Sequence, residues 1–353
     1  MRLLTIGSKP TLLQAIADRG DVEVISLERD IPQRATGDSP RYTRLPYDGG
    51  PKLSLAAVRQ VRCAILQVRP DVIHAFYPRP LAHAVMATRS LRVRTPLVSY
   101  RGITSVPHRW SPSEWITYLS PQVTAHACES QAVADALVAS GVPGHRCHVV
   151  YNCLSRPLPP LSREEARRRL GLAEDDLVVM MVANMRPVKG ADILLEAACS
   201  LGDIPRLKLV LVGEVRDPRI DQLAAQPELS SRVLLPGFRD DASEVVAGAD
   251  LFVMPSRAEA LSVALLEAMS RGICPVVSDA GGLKEGVRHE VDGLVVPRED
   301  PLVLAAAIRR LAVDPAERSR LAKSAQQRAS DTFSPARVAE RIAAVYRGLS
   351  RAA

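Results

Sequence analysis

Asp250-Leu251-Phe252-Val253-Met254-Pro255-Ser256-Arg257-Ala258-Glu259-Ala260-Leu261-Ser262-Val263-Ala264-Leu265-Leu266-Glu267-Ala268-Met269-Ser270-Arg271-Gly272 decides how this chain folds. After Asp250, residues 251–254 form an apolar run of the kind buried on both faces of a parallel sheet. Pro255 and Ser256 end it. A helix starts near Ser262 and stops at Gly272, a C′ glycine. Glu259 therefore falls on the loop at the carboxyl end of a strand, and Glu267 falls one to two turns into the helix. Between them the helix opens with free amides and the positive end of its dipole, a site for an anion. Two carboxylates flanking a phosphate site suit a ligand with hydroxyls on both sides of a diphosphate, as in a sugar nucleotide.

The segment resembles the Glu-x7-Glu motif of family 4 retaining glycosyltransferases. Two glutamates at this spacing are common by chance, and the bland alternative is a strand–loop–helix with two solvated carboxylates. The surrounding Pro255-Ser256, Leu265-Leu266-Glu267-Ala268-Met269 and Arg271-Gly272-Ile273-Cys274-Pro275 make the resemblance specific. It implies that Glu259 contacts the donor sugar and Glu267 the ribose. Leu261, Ser262 and Val263 then place backbone at the donor.

The chain has 353 residues, enough for two domains. It is 47% hydrophobic and 24% charged, the balance of a soluble globular protein. No apolar run approaches the ~20 residues of a membrane span. The N-terminus reads as a first strand and is too short for a signal peptide, so cytoplasmic residence is expected. The six cysteines form no Cys-x-x-Cys pair and point to reduced thiols. His126, Cys128, His145, Cys147, His148 and Cys153 crowd together, but their spacing fits no common zinc template.

The net charge of +7 is uneven. Residues 1–157 carry 19 Lys and Arg against 11 Asp and Glu, whereas residues 158–353 carry 27 against 28. A basic first half suits a phosphorylated acceptor or an anionic membrane surface. Nucleic acid is not expected, because aromatics are only 4% and no nucleic-acid motif is present. Arginine bias is the duller explanation, since 40 of the 46 basic residues are Arg.

Along the first half, short apolar runs at 3–6, 22–27, 72–75, 97–100, 123–128 and 148–151 alternate with helical patterns at 9–19, 53–69, 81–90 and 131–140. That alternation predicts βαβ units and a parallel sheet. Residues 154–161, with Pro157, Pro159 and Pro160, read as a linker. Ser162-Arg163-Glu164-Glu165 is a capping box for a helix ending at Gly171. A second series of strands follows at 177–182, 207–212, 233–235, 251–254 and 275–278. Helices are expected between them and at 302–312, 316–329 and 333–349.

Two Rossmann-like domains joined by a Pro-rich linker resemble the GT-B fold, an α/β class with two parallel-sheet domains facing each other across a cleft. The resemblance implies an acceptor-binding domain at residues 1–157 and a nucleotide-sugar-binding domain at 158–332. It also implies that the terminal helix, 333–353, packs back on the first domain. Ligands bind beyond the carboxyl ends of parallel strands.

Further residues match the family's elements. Asn184-Met185-Arg186-Pro187-Val188-Lys189-Gly190 ends a strand and opens a helix, like the family's Gly-Arg-Leu…Lys-Gly element, in which Arg and Lys hold the donor diphosphate. Lys189 stands at the lysine position, but Asn184 occupies the arginine position. Arg186, two residues on, either takes over its role or faces solvent. Gly213 after a strand either lines the nucleotide pocket or is a plain turn glycine. Phe238 is expected beside the base. In the first domain Gly7 and Ser8 follow the first strand, where relatives carry a glycine-rich loop. Val72-Ile73-His74-Ala75-Phe76 resembles a stretch with a second histidine where Phe76 stands. Arg101 replaces a histidine that lies near the donor sugar in relatives. It stays protonated and cannot serve as a base, but it could hold a phosphate or carboxylate on the acceptor. His74 is equally well read as a satisfied core histidine.

No Asp-x-Asp triplet occurs. The resemblance therefore implies a metal-independent, retaining hexosyltransferase with no cofactor, in which Lys189 and helix amides neutralise the leaving group. Its partners would be a nucleotide-diphosphate sugar donor and a glycan or lipid-linked acceptor. Its setting would be cell-surface polysaccharide or lipopolysaccharide synthesis, with the inner face of the cytoplasmic membrane within reach. The departures at Asn184, Phe76 and Arg101 leave room for a non-catalytic sugar or lipid-surface binding protein. A sugar-nucleotide epimerase or a phosphorylase-like enzyme would share the fold. A nicotinamide dehydrogenase is the weaker rival, because no Gly-x-Gly-x-x-Gly follows the first strand of this chain.

Overall fold

The structure, a computed structural model, describes residues 1–29, 39–154 and 159–352. Pro157, within the expected linker, lies outside the described residues. The chain separates into two compact units, Met1–Ser155 with Ser334–Ala353, and Arg156–Phe333.

The first unit runs β1 (Arg2–Ile6), α1 (Pro10–Asp18), β2 (Glu23–Glu28), β3 (Tyr42–Pro46), α2 (Leu55–Val68), β4 (Val72–Ala75) and α3 (Pro78–Leu91). It continues with β5 (Leu97–Arg101), α4 (Pro112–Trp115), β6 (Val123–Cys128), α5 (Gln131–Ala139) and β7 (Cys147–Val149). The second unit runs α6 (Arg163–Leu170), β8 (Leu177–Val182), α7 (Ala191–Cys199), β9 (Leu207–Val212), α8 (Arg219–Ala224), β10 (Val233–Gly237) and α9 (Ala242–Val245). Then come β11 (Leu251–Met254), α10 (Val263–Ser270), β12 (Cys274–Ser278), α11 (Leu283–Gly286), β13 (Leu294–Val296), α12 (Pro301–Val313) and α13 (Pro315–Phe333). The last helix, α14 (Pro335–Ala352), belongs to the first unit.

Among the described residues the strand orders are β3-β2-β1-β4-β5-β6-β7 and β10-β9-β8-β11-β12-β13, and every pairing is parallel. Each sheet is doubly wound. The order reverses between β1 and β4 in the first and between β8 and β11 in the second. Crevices beyond the carboxyl ends at such reversals are where ligands bind.

Central strands such as Leu177-Val178-Val179-Met180-Met181-Val182 are almost wholly apolar because helices cover both faces. Ser162 caps α6 by accepting from Glu165 N at 3.2 Å, and Gly171 ends it at φ 70°. The first core includes α14, whose Val338, Ala339, Ile342 and Tyr346 are fully buried in one cluster with Leu13 and Ile16 of α1. Tyr346 also places its hydroxyl 2.6 Å from His74 Nδ1.

Two histidines of this unit are locked away as neutral rings. Burial, with the charge of Lys9, pushes His74 down to about 3. Burial, with the charges of Arg101, Arg146 and His148, pushes His126 down to about 3. In the unfolded chain both titrate near 6.5, so below that pH the unfolded state binds more protons than the native one. Stability is therefore full above about pH 6.5 and falls as pH drops toward 3, by about 1.4 kcal/mol per pH unit for each histidine. Urea midpoints at pH 7, 6 and 5 should fall steadily, before most carboxylates titrate. A flat profile across that window would refute the buried-neutral assignment.

Candidate active site

The second sheet's reversal point carries the residues singled out from the sequence. Lys189 lies in the 3₁₀ turn Pro187–Lys189 that follows β8, and Glu259 lies in the loop that follows β11. Adjacency of the two strands brings the loops together, and Lys189 Nζ donates to Glu259 Oε2 at 2.5 Å. The pair is partly shielded, its side chains being 19% and 14% exposed.

Three features hold it in place. Gly190 sits at φ 71°, and a Cβ there would lie 2.1 Å from the Pro255 carbonyl oxygen, so only glycine lets the two loops touch. Arg257 grips the lysine loop, its backbone N donating to Val188 O at 2.8 Å and its Nη1 to Pro187 O at 2.5 Å. The Arg257 guanidinium also makes a two-pronged pair with Asp192 of α7, both bonds 2.9 Å. Burial pushes the Asp192 carboxyl up, but the bonds from Arg257 and the charges of Arg257 and Arg219 leave it below its ordinary value. On the far side Gly282 N donates to Glu259 O at 3.0 Å, tying the loop after β12 to the glutamate.

The α10 helix begins as expected. Ser262 caps it, accepting from Leu265 N at 3.4 Å, and Gly272 follows it at φ 72°. The other first-turn amides have no acceptor within the helix. The Leu261 side chain is buried toward α11, where a Cβ on Gly286 would meet it at 3.0 Å. Glu267 is half-buried one turn into α10, and its charge acts on Arg271.

Asn184, Arg186, Gly213 and Phe238 lie on loops at the same carboxyl edge, after β8, β9 and β10. Asn184 Oδ1 accepts from Glu214 N at 3.3 Å, whereas Arg186 is exposed. Gly213, at φ 137°, has the Ala183 carbonyl oxygen 2.1 Å from where a Cβ would stand. Its close approach is thus to the neighbouring loop's backbone. Phe238 is 66% exposed, an open aromatic face at the edge of the sheet.

Gly7, Ser8, His74 and Arg101 belong to the first unit. Gly7 and Ser8 follow β1 and line a cavity. His74 and Arg101 are packed inside, 0% and 2% exposed. The Arg101 guanidinium carbon stands 4.5 Å from the Tyr118 ring centroid, and Nη2 donates to Ser105 O at 2.5 Å. Sequence reasoning missed a polar knot at the same edge, where Lys9 Nζ donates to Glu129 Oε1 and Asn152 Oδ1, both at 3.0 Å, and to the Tyr100 hydroxyl. Gly102 makes room for it, since a Cβ there would fall 2.4 Å from Glu129 Oε2. It also missed the Asp192–Arg257 clamp. The available signal was position: each stands two residues from Gly190 or Glu259.

Among the described residues, no cluster of three or more His, Cys, Asp or Glu side chains could hold a metal ion. None of the helices there is long and apolar enough to cross a membrane.

Residues 11–155 match the family described as Glycosyltransferase Family 4, and residues 162–328 match Glycosyl transferases group 1. The fold is that of the GT-B glycosyltransferases. Anabaena Alr3699/HepE, solved in complex with UDP-glucose, superposes over 99% of this chain and 100% of its own with a TM-score of 0.77 at 23% identity. The chain belongs to glycosyltransferase family 4. It is 36% identical over 200 residues to the D-inositol 3-phosphate glycosyltransferase of Geodermatophilus obscurus, a match spanning 53% of this chain and 44% of that relative. EpsD of Bacillus subtilis, named as a glycosyltransferase, is 27% identical over 317 residues, covering 86% of this chain and 82% of EpsD. The inositol-phosphate enzymes are thus matched over about half their length.

Proposed function

We propose that this protein transfers a hexosyl group from a nucleotide-diphosphate sugar to a glycan or lipid-linked acceptor, with retention of configuration. The observation that carries the reading is the Lys189–Glu259 pair, held at the reversal point of the second sheet beside the amino end of α10. The unit at residues 158–332 takes the donor, and residues 1–157 take the acceptor. Lys189 and the amides of Ser262 and Val263 stabilise the departing diphosphate, a role in which aligned dipoles need no rearrangement. Glu259 holds sugar hydroxyls and Glu267 the ribose, and Phe238 offers its exposed face to the base. Asn184, Arg186 and Gly213 complete the diphosphate loop. Gly7 and Ser8 face the acceptor, with His74 and Arg101 behind them. The acceptor attacks on the face that the diphosphate leaves, and a diphosphate oxygen takes its proton.

The setting is cell-surface polysaccharide or lipopolysaccharide assembly at the inner face of the cytoplasmic membrane. Trp110 is 96% exposed and Trp115 51%, close in sequence to Arg109, and amphipathic aromatics beside a cation suit a headgroup layer.

Thermal-shift titration against a panel of nucleotide sugars tests donor use, because a saturating donor raises the melting temperature through linkage. NMR of the product's anomeric centre then tests retention, and an inverted product would refute the same-face route. Activity should survive EDTA, since lysine and backbone dipoles neutralise the diphosphate. Complete loss on chelation, restored by Mg²⁺ or Mn²⁺, would contradict that.

A further inference from the structure

The second unit carries a cavity at the edge opposite the candidate active site. It opens at the amino ends of β11 and β12, whereas Lys189 and Glu259 stand on loops at the carboxyl ends of β8 and β11. The helix α10 runs between the two places: Ser262 caps it at one end, and Arg271 and Gly272 follow it at the cavity. The volume of about 400 Å³ falls within the range for small-molecule sites, roughly 300–1,000 Å³.

The charge of its lining is one-sided. Arg163 of α6, Arg271 after α10, and Arg318 and Lys323 of α13 supply the cations, and Asp250 is its acidic residue. Asp250 is already engaged, accepting from Arg163 Nη2 at 2.7 Å and from Arg167 Nη2 and Val178 N, both at 2.8 Å. Arg271 donates Nε to Ser243 O at 2.8 Å and Nη2 to Pro159 O at 2.9 Å, which leaves Nη1 with no acceptor among the described residues. Arg318 donates Nη1 to Leu311 O at 2.6 Å, and Lys323 has no partner among the described residues. Carboxylates close by are committed elsewhere: Glu317 pairs with Arg310 at 2.5 Å, Asp314 accepts from Glu317 N at 2.9 Å, and Glu244 pairs with Arg169 at 3.2 Å. Burial pushes the Arg271 guanidinium down, against the charges of Glu244 and Glu267. Arg271, Arg318 and Lys323 thus face one cavity without a bonded carboxylate, and guanidinium forks match phosphate oxygens.

The frame that carries these cations is fixed. Gln326 Nε2 donates to Ser270 O at 3.1 Å and pins α13 to the end of α10, while Arg163 ties α6 to Asp250. No aromatic side chain lines the cavity, so it offers no face on which a base or a sugar ring would stack. Three cations on two elements suit linked phosphates better than a single carboxylate.

We propose that this cavity binds a compact, multiply charged phosphate anion of the inorganic diphosphate type, at a site separate from that of the sugar donor. The binding goes beyond the transfer reading and does not depend on it.

Equilibrium dialysis of radiolabelled inorganic diphosphate against the full chain tests it, in buffer free of divalent cations and with saturating UDP to fill the donor site. The wild type should bind diphosphate at a single site, with acetate competing at least about tenfold more weakly than unlabelled diphosphate. Lys323→Glu should lose about tenfold or more in affinity, and Arg318→Ala combined with Lys323→Ala should lose at least as much. Lys323 is exposed, so Lys323→Glu should keep the wild-type melting temperature. Lys189→Ala should bind diphosphate as the wild type does. Absence of binding in the presence of UDP, acetate competing as well as diphosphate, affinity that Lys323→Glu keeps, or an equal loss in Lys189→Ala would each overturn the proposal. If UDP itself fails to bind the wild type, the transfer reading fails, and the dialysis still judges the cavity by the same variants.

Discussion

Lys189→Ala is expected to lower kcat/KM by about a hundred- to a thousandfold, the usual effect of deleting one preorganised donor from a developing negative charge. The loss should fall mainly on kcat, because the lysine matters most once the diphosphate is leaving. Glu259→Ala removes hydrogen bonds to a charged group, worth roughly 1.5–3 kcal/mol, or about ten- to a hundredfold in kcat/KM. Glu267→Ala should weaken donor binding by a similar factor and leave turnover of the bound donor nearer normal. Because Lys189 and Glu259 are bonded to each other, their effects should not add. Steady-state kinetics on both single variants and the double one measure that coupling. Wild-type constants in a Glu259→Ala, Glu267→Ala protein would remove the site assignment altogether.

The second large effect concerns stability. Asp250→Ala should destabilise the second unit by about 3–5 kcal/mol. Asp250 opens the segment that leads into β11, and it accepts from Arg167 Nη2 at 2.8 Å, from Val178 N at 2.8 Å and from Arg163 Nη2 at 2.7 Å. Arg167 is only 1% exposed, and without Asp250 its remaining partners are the carbonyls of Gly248, Ala173 and Glu174. A buried guanidinium would then lose its hydrogen-bonded counter-charge and keep only the charge of Asp176, to which no bond is made. At roughly 2–4 °C per kcal/mol for a unit of this size, the melting temperature should drop by about 6–20 °C. Calorimetry at neutral pH reads this directly, and a drop under about 2 °C would show that the pair is not structurally important.

The fold class was legible because its signals are local. Leu251–Met254 is apolar on both faces, Ser262 caps the helix that follows, and Gly272 stops it, all within one short window. The third strand, Tyr42–Pro46, escaped notice for the opposite reason. Among the described residues it pairs with β2 alone, Thr43 and Pro46 are exposed, and Arg44 and Pro46 interrupt the apolar pattern. The candidate site shows the same division. Lys189 and Glu259 stand inside recognisable motifs, but the Arg257–Asp192 clamp joins residues 65 apart and can be seen only once β8 and β11 are neighbours. Gly213 read either as lining of the nucleotide pocket or as a plain turn glycine, and the sequence could not show that a Cβ there would meet the Ala183 carbonyl oxygen. Arg101 and His74 show the limit of pattern reading in a strand: sequence marks a polar residue but not the depth at which it lies.

The return of α14 to the first unit has a consequence for biosynthesis. A ribosome delivers residues 1–155 first, yet Val338, Ile342 and Tyr346 are made only after the whole of residues 156–333. During that interval Leu13, Ile16 and the ring of His74 lack the cover that α14 gives them. The second unit, made from one continuous stretch, can complete itself while the first waits. The half of the molecule that emerges earliest is therefore the last to be finished, and during translation it is the half with most need of a chaperone.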